Sequence, residues 1–94
     1  MNQSVENLKV RLGDRVSVLD VQTSEEQLIG IIDSVDRIKP FTIIDGYFYI
    51  SSETRLAKFL LGHPVGYENE VTLHPEEKPA RLRITKVFPK PRLE

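Results

Sequence analysis

The chain has 94 residues, enough for one domain around a single modest core and too few for two. Apolar residues make up 39% and charged residues 29%, and no apolar run approaches the roughly 20 residues that span a membrane, so a soluble globular protein is expected. Cysteine is absent and the net charge is −1, which excludes disulfides and thiolate metal sites and argues against nonspecific attraction of the whole molecule to nucleic acid.

Residues 1–9 form a short polar segment with no basic-then-apolar secretion signal, and a cytoplasmic location is expected. One domain is expected over 10–88, followed by a tail over 89–94 whose closing Leu93-Glu94 pair reads as a remnant of cloning. RVSVLDV (15–21) alternates, with Val16 and Val18 on one face and Arg15 and Ser17 on the other, as in a strand. TSEEQ (23–27) reads as a hairpin turn and QLIGIIDSV (27–35) as a second strand, with Gly30 marking a bulge or a close backbone approach.

FTIIDGYFYI (41–50) is nearly symmetric about Asp45-Gly46, a pair suited to the hairpin turn whose two central residues need positive φ. YFYI is the firm strand; FTII either pairs with it or is a loop excursion. Next comes an amphipathic helix of about ten residues. Ser51 or Ser52 is expected at its N-cap, with Glu53 favouring the positive end. Leu56, Phe59 and Leu60 form its buried stripe, widened by Ala57 and Leu61, while Arg55 and Lys58 face out. Gly62 fits the left-handed position after the helix, and Pro64 forbids continuation. NEVTLH (69–74) and ARLRITKVF (80–88) follow as strands joined by PEEKP. Strands on both sides of one helix predict an α+β domain, a twisted antiparallel sheet packed on one short central helix.

The chemical inventory is thin. His63 and His74 each precede a proline in an expected turn, with no HxxxH or carboxylate–histidine cluster to hold a metal. No GxSxG, cysteine nucleophile, P-loop or GxGxxG occurs. The acid pairs Glu25-Glu26 and Glu76-Glu77 read as solvated turns. No enzyme activity, cofactor, small-molecule substrate or membrane partner is expected, and the domain is expected to be a monomer. One alternative is single-stranded nucleic-acid binding through the basic 78–92 run, with Arg81, Arg83 and Lys86, and exposed Tyr47 and Tyr49 as stacking platforms. The plainer reading of both features is a solvated strand face and ordinary sheet packing.

The segment from Val10 to Val87 resembles the C-terminal domain of the GreA/GreB transcript-cleavage factors. The resemblance is carried by VRLGDRVSVLD (10–20), by the turn TSEEQ (23–27), above all by YISSETRLAKFLLGHPVGYENEVTL (49–73), and by RLRITKV (81–87). It implies an FKBP-like fold that docks on RNA polymerase near the secondary channel. In that family a separate N-terminal coiled coil delivers the acidic residues used in cleavage. Nine residues precede Val10 here and no heptad pattern occurs, so no stimulation of transcript cleavage is expected. The family's contact turn, commonly Asn-Ser-Pro, corresponds to Glu53-Thr54-Arg55, and its Pro-Gly-Gly turn to PEEKP. The expected partner-facing set is Ser51, Ser52, Glu53, Thr54, Arg55 and Lys58. Lacking Trp, the chain offers no floor for a prolyl-isomerase pocket.

Overall fold

The computed structural model describes residues 8–33 and 37–89. Among them the chain order is β1 (Arg15–Asp20), β2 (Glu25–Ile31), β3 (Thr42–Ile44), β4 (Tyr47–Ile50), α1 (Arg55–Leu60), β5 (Glu68–Val71) and β6 (Ala80–Phe88). The strands lie side by side as β3-β4-β2-β1-β6-β5. Residues 1–7 and 90–94, Ser34 and Val35 of the expected second strand, and Lys90 and Arg92 of the basic run lie outside the described residues.

The α+β class stands, but the sheet is mixed where an antiparallel one was expected. β2 and β4 run parallel, with Ile29, Gly30 and Ile31 opposite Phe48, Tyr49 and Ile50. The cause is topological. Between β2 and β4 the chain reverses twice, once into β3 and again at Asp45-Gly46, so β4 returns along the direction of β2. The second reversal has both central residues at positive φ, Asp45 at 55° and Gly46 at 84°, as the Asp-Gly pair predicts. FTII therefore does pair with YFYI, with Thr42, Ile43 and Ile44 opposite Tyr49, Phe48 and Tyr47.

The first hairpin turns earlier than expected. The Asp20 carboxylate accepts from the backbone N–H groups of Gln22 (3.0 Å) and Thr23 (3.3 Å), which closes the turn at once and sends Glu25 and Glu26 into β2. Gly30 marks a close approach, but of a ring. A methyl there would lie 2.4 Å from a carbon of Tyr49, the parallel partner of Gly30 across the strands. The bulge lies instead in β6, where Ser17 pairs with Lys86 and Val18 with Ile84, leaving Thr85 as the extra residue. β6 spans the expected residues, while β5 stops at Val71 opposite Ala80. Pro79, just before Ala80, has no N–H to extend the ladder.

The helix is shorter than expected, six residues capped by Thr54 and by neither serine. Ser51 is used in a preceding turn, its hydroxyl accepting from Glu53 N–H (3.0 Å) and its carbonyl from Thr54 N–H (3.1 Å). The Thr54 hydroxyl then accepts from Ala57 N–H at 3.1 Å. Gly62 holds φ +83° past the helix, as expected. Ala57 and Leu60 are fully buried against Val16, Ile29, Ile31 and Ile84, whereas Leu56 and Phe59 pack only partly on that cluster. The small side chain of Ala57 lets the helix sit close to the sheet, and the larger residues splay to either side. Residue 10 completes this layer: Val10 exchanges backbone hydrogen bonds with His63 (3.0 Å) and Gly62 (2.9 Å), so the chain before β1 is tied to the end of the helix.

Candidate functional site

The start of α1 borders an open apolar groove of about 470 Å³, floored by Phe48, Ile50, Leu56 and Leu73. Glu53, Thr54, Arg55 and His74 form its lip. Phe41 stands at the mouth, 64% exposed, with its ring tilted on Phe48 at 5.9 Å. Its φ of +66° is a conformation that bulky residues rarely adopt. Ile43, on the edge strand β3, is 68% exposed beside it. Arg55 is steered by a hydrogen bond from Nη1 to the Thr72 carbonyl at 3.3 Å.

Of the six residues expected to face a partner, Glu53, Thr54 and Arg55 thus share one lip. Ser51 and Ser52 line a second cleft of about 280 Å³ with Leu12, Ile32, Ile38 and Pro40, and Glu53 borders both clefts. Lys58 lies exposed one turn further along the helix, outside both linings. The groove floor was not singled out from the sequence. The apolar residues Phe41, Ile43 and Ile44 stand in the sequence, but nothing local marks their strand as an edge.

The residues of the nucleic-acid alternative all stand on the sheet face opposite the helix, since Phe48, Ile50, Leu82, Ile84 and, past the bulge at Thr85, Val87 alternate with them toward the core. Their surroundings differ from expectation. Tyr49 is buried at 5% exposure, because its ring covers Gly30 and its hydroxyl accepts from Arg15 Nε at 2.7 Å. Tyr47 packs edge-on to Phe88 at 6.2 Å, with the Arg15 guanidinium 4.7 Å from its ring centre. Arg81 and Arg83 both bind Glu68, at 2.5 and 2.8 Å, and these hydrogen bonds hold the Glu68 carboxyl below its ordinary pKa. Lys86 is exposed.

Glu26, expected in a solvated turn, is instead a strand residue that accepts from the Ser17 hydroxyl and from Thr85 Oγ1 (3.1 Å). Those two bonds, Ser17 first, lower its pKa. His63 contacts the Phe59 carbonyl through Nδ1 (2.8 Å) and stacks on Tyr67 at 3.8 Å, packing that closes the far end of the helix. Among the described residues no group of three or more His, Cys, Asp or Glu is placed to hold a metal. No helix among them is long and apolar enough to cross a membrane.

No family model matches the chain, and no curated protein matches it. Solved structures do share the fold. Gfh1 from Thermus aquaticus matches with a TM-score of 0.67 and 21% identity, over 85% of this chain and 48% of its own. GreA factor homolog 1 (Gfh1) of Thermus thermophilus matches with a TM-score of 0.64 and 19% identity, over 94% of this chain and 53% of its own. The prokaryotic transcription elongation factor GreA/GreB from Nitrosomonas europaea matches with a TM-score of 0.59 and 23% identity, over 82% of this chain and 58% of its own. The chain spans about half the length of the solved proteins it matches. The resemblance read from the sequence is thus borne out in the fold.

Proposed function

We propose that this domain is a non-enzymatic protein-binding module that docks on RNA polymerase and modulates transcription elongation, contributing no transcript cleavage itself. The observation that supports this reading is the fold it shares with Gfh1 and the GreA/GreB factor over more than four fifths of its own length. The resemblance read from the sequence assigns cleavage to a coiled coil and docking to the domain matched here. The sheet on a short helix is read accordingly as FKBP-like, acting as a cytoplasmic monomer. The helix-start surface suits the docking role, since it combines an apolar floor with a polar, charged lip. The nucleic-acid alternative has less support, because Tyr49 is buried and Arg81 and Arg83 share one carboxylate.

The test is capture of purified core RNA polymerase by the tagged domain, with a full-length cleavage factor as competitor. Capture that the competitor displaces is the expected result, and no capture at low salt sinks the reading. Backtracked elongation complexes given the domain alone should show no faster transcript cleavage than untreated ones. Faster cleavage would overturn the non-enzymatic part.

A further inference from the structure

The groove also carries information about what it binds, an inference that rests on reading the helix-start surface as a docking surface. We propose that the groove receives one large apolar side chain of a partner polypeptide and that the partner sets a carboxylate beside it, against Arg55.

Phe41 points to an apolar occupant. An aromatic ring that is 64% exposed on a backbone at φ +66° combines an unfavourable conformation with unfavourable exposure. Both are held in place: Phe41 N–H donates to the Tyr49 carbonyl at 2.7 Å, and its ring rests on Phe48. The mouth of the groove is therefore set before anything enters, which lowers the ordering cost of binding. A few anchors buried in such depressions carry most of the affinity at a protein interface.

The two faces of the sheet differ in how their arginines are paired. On the face opposite the helix, Arg15, Arg81 and Arg83 each have a carboxylate partner, Asp45 or Glu68. On the helix side, the partner of Arg55 among the described residues is the Thr72 carbonyl, which occupies one of its five N–H donors. The guanidinium is thereby aimed but not neutralised, and a carboxylate is the acceptor its planar fork matches best. Lys58, one turn along, adds a second cation without an ion pair among the described residues. Glu53 sits at the same lip and opposes an acidic partner, which makes the sign of the charge effect testable from both directions.

The experiment is an NMR titration of the ¹⁵N-labelled protein with a short peptide carrying a central Leu-Phe flanked by Glu, and with the same peptide carrying Lys in place of Glu. The expected result is saturable shifts at the amides of Phe41, Phe48, Leu56 and Leu73 with the Glu peptide, and weaker binding of the Lys peptide. Arg55→Glu should weaken the Glu peptide on the order of fivefold and Glu53→Gln should tighten it. Both substitutions are at exposed positions, and matching melting curves establish that each variant is folded. Absence of saturable shifts at the groove, or equal binding of the Lys peptide, overturns the inference. Polymerase capture without peptide shifts overturns this inference and leaves the docking reading standing. Peptide shifts without polymerase capture support it and remove polymerase as the partner.

Discussion

A methyl group at Gly30 would meet the Tyr49 ring at 2.4 Å, and the ring cannot move freely because Arg15 holds its hydroxyl at 2.7 Å. Gly30→Ala should therefore cost about 1–3 kcal/mol as an overpacking substitution. Urea unfolding checks this, and in a Tyr49→Leu background the same substitution should cost clearly less, because the clashing ring is gone. A second residue-scale effect is electrostatic. Glu26 and Glu68 have pKa values held below the ordinary 4.5 by hydrogen bonds from Ser17 and Thr85, and from Arg81 and Arg83. A lowered folded pKa means the unfolded chain binds protons more readily. The stabilisation is therefore full above about pH 4.5 and disappears as pH falls through the lowered folded values. Glu26→Gln should flatten the acid limb of a melting-temperature profile measured from pH 6 downward; an unchanged limb would assign Glu26 no part in it. Both carboxylates lie on exposed strand faces, so the effect is modest and shrinks with salt.

Elements differ in how far the sequence reveals them. The turn between β3 and β4 was legible because Asp45-Gly46 encodes it, although the pairing of FTII with YFYI stayed open, and β6 was legible because Leu82 and Ile84 alternate with Arg81 and Arg83 over a strand with one buried face. The length of α1 was not legible, since Ser51, Ser52 and Thr54 are all competent caps and the turn formed by Ser51 decides among them only once its hydrogen bonds exist. The parallel β2–β4 pairing was hidden for a different reason: strand direction depends on how many times the chain reverses, which local periodicity does not record. The groove stayed hidden because Phe41 and Ile43 look like core residues and become surface only when β3 proves to be an edge. Gly46→Ala, at φ +84°, should cost about 1 kcal/mol and raise hydrogen exchange in β3 and β4 before the rest of the sheet. Leu60→Ala should cost about 2–5 kcal/mol because Leu60 is fully buried, whereas half-buried Leu56 should cost less when truncated. Equal costs at the two positions would mean that the groove side of the helix is packed as tightly as the sheet side.

At the scale of the whole molecule, a net charge of −1 says little about binding, because the charges are sorted by face. Opposite the helix, Arg15, Arg81 and Arg83 share the carboxylates of Asp45 and Glu68, while Arg55 at the groove lip and Lys58 one turn along the helix have no ion pair among the described residues. Long-range attraction depends on such local imbalance more than on the total, and it is felt by a partner within about a Debye length, roughly 8 Å at physiological salt. Reversing both charges, Arg55→Glu with Lys58→Glu, therefore separates docking from stability. Both side chains are exposed and outside the core cluster, so melting should shift within about 0.5 kcal/mol of the parent. Capture of core RNA polymerase should fall, and the loss should be largest at low salt, where screening is weakest. A variant that melts with the parent and captures polymerase equally would move the contact surface away from the helix start, and the second cleft at Ser51 and Ser52 would be the next place to substitute.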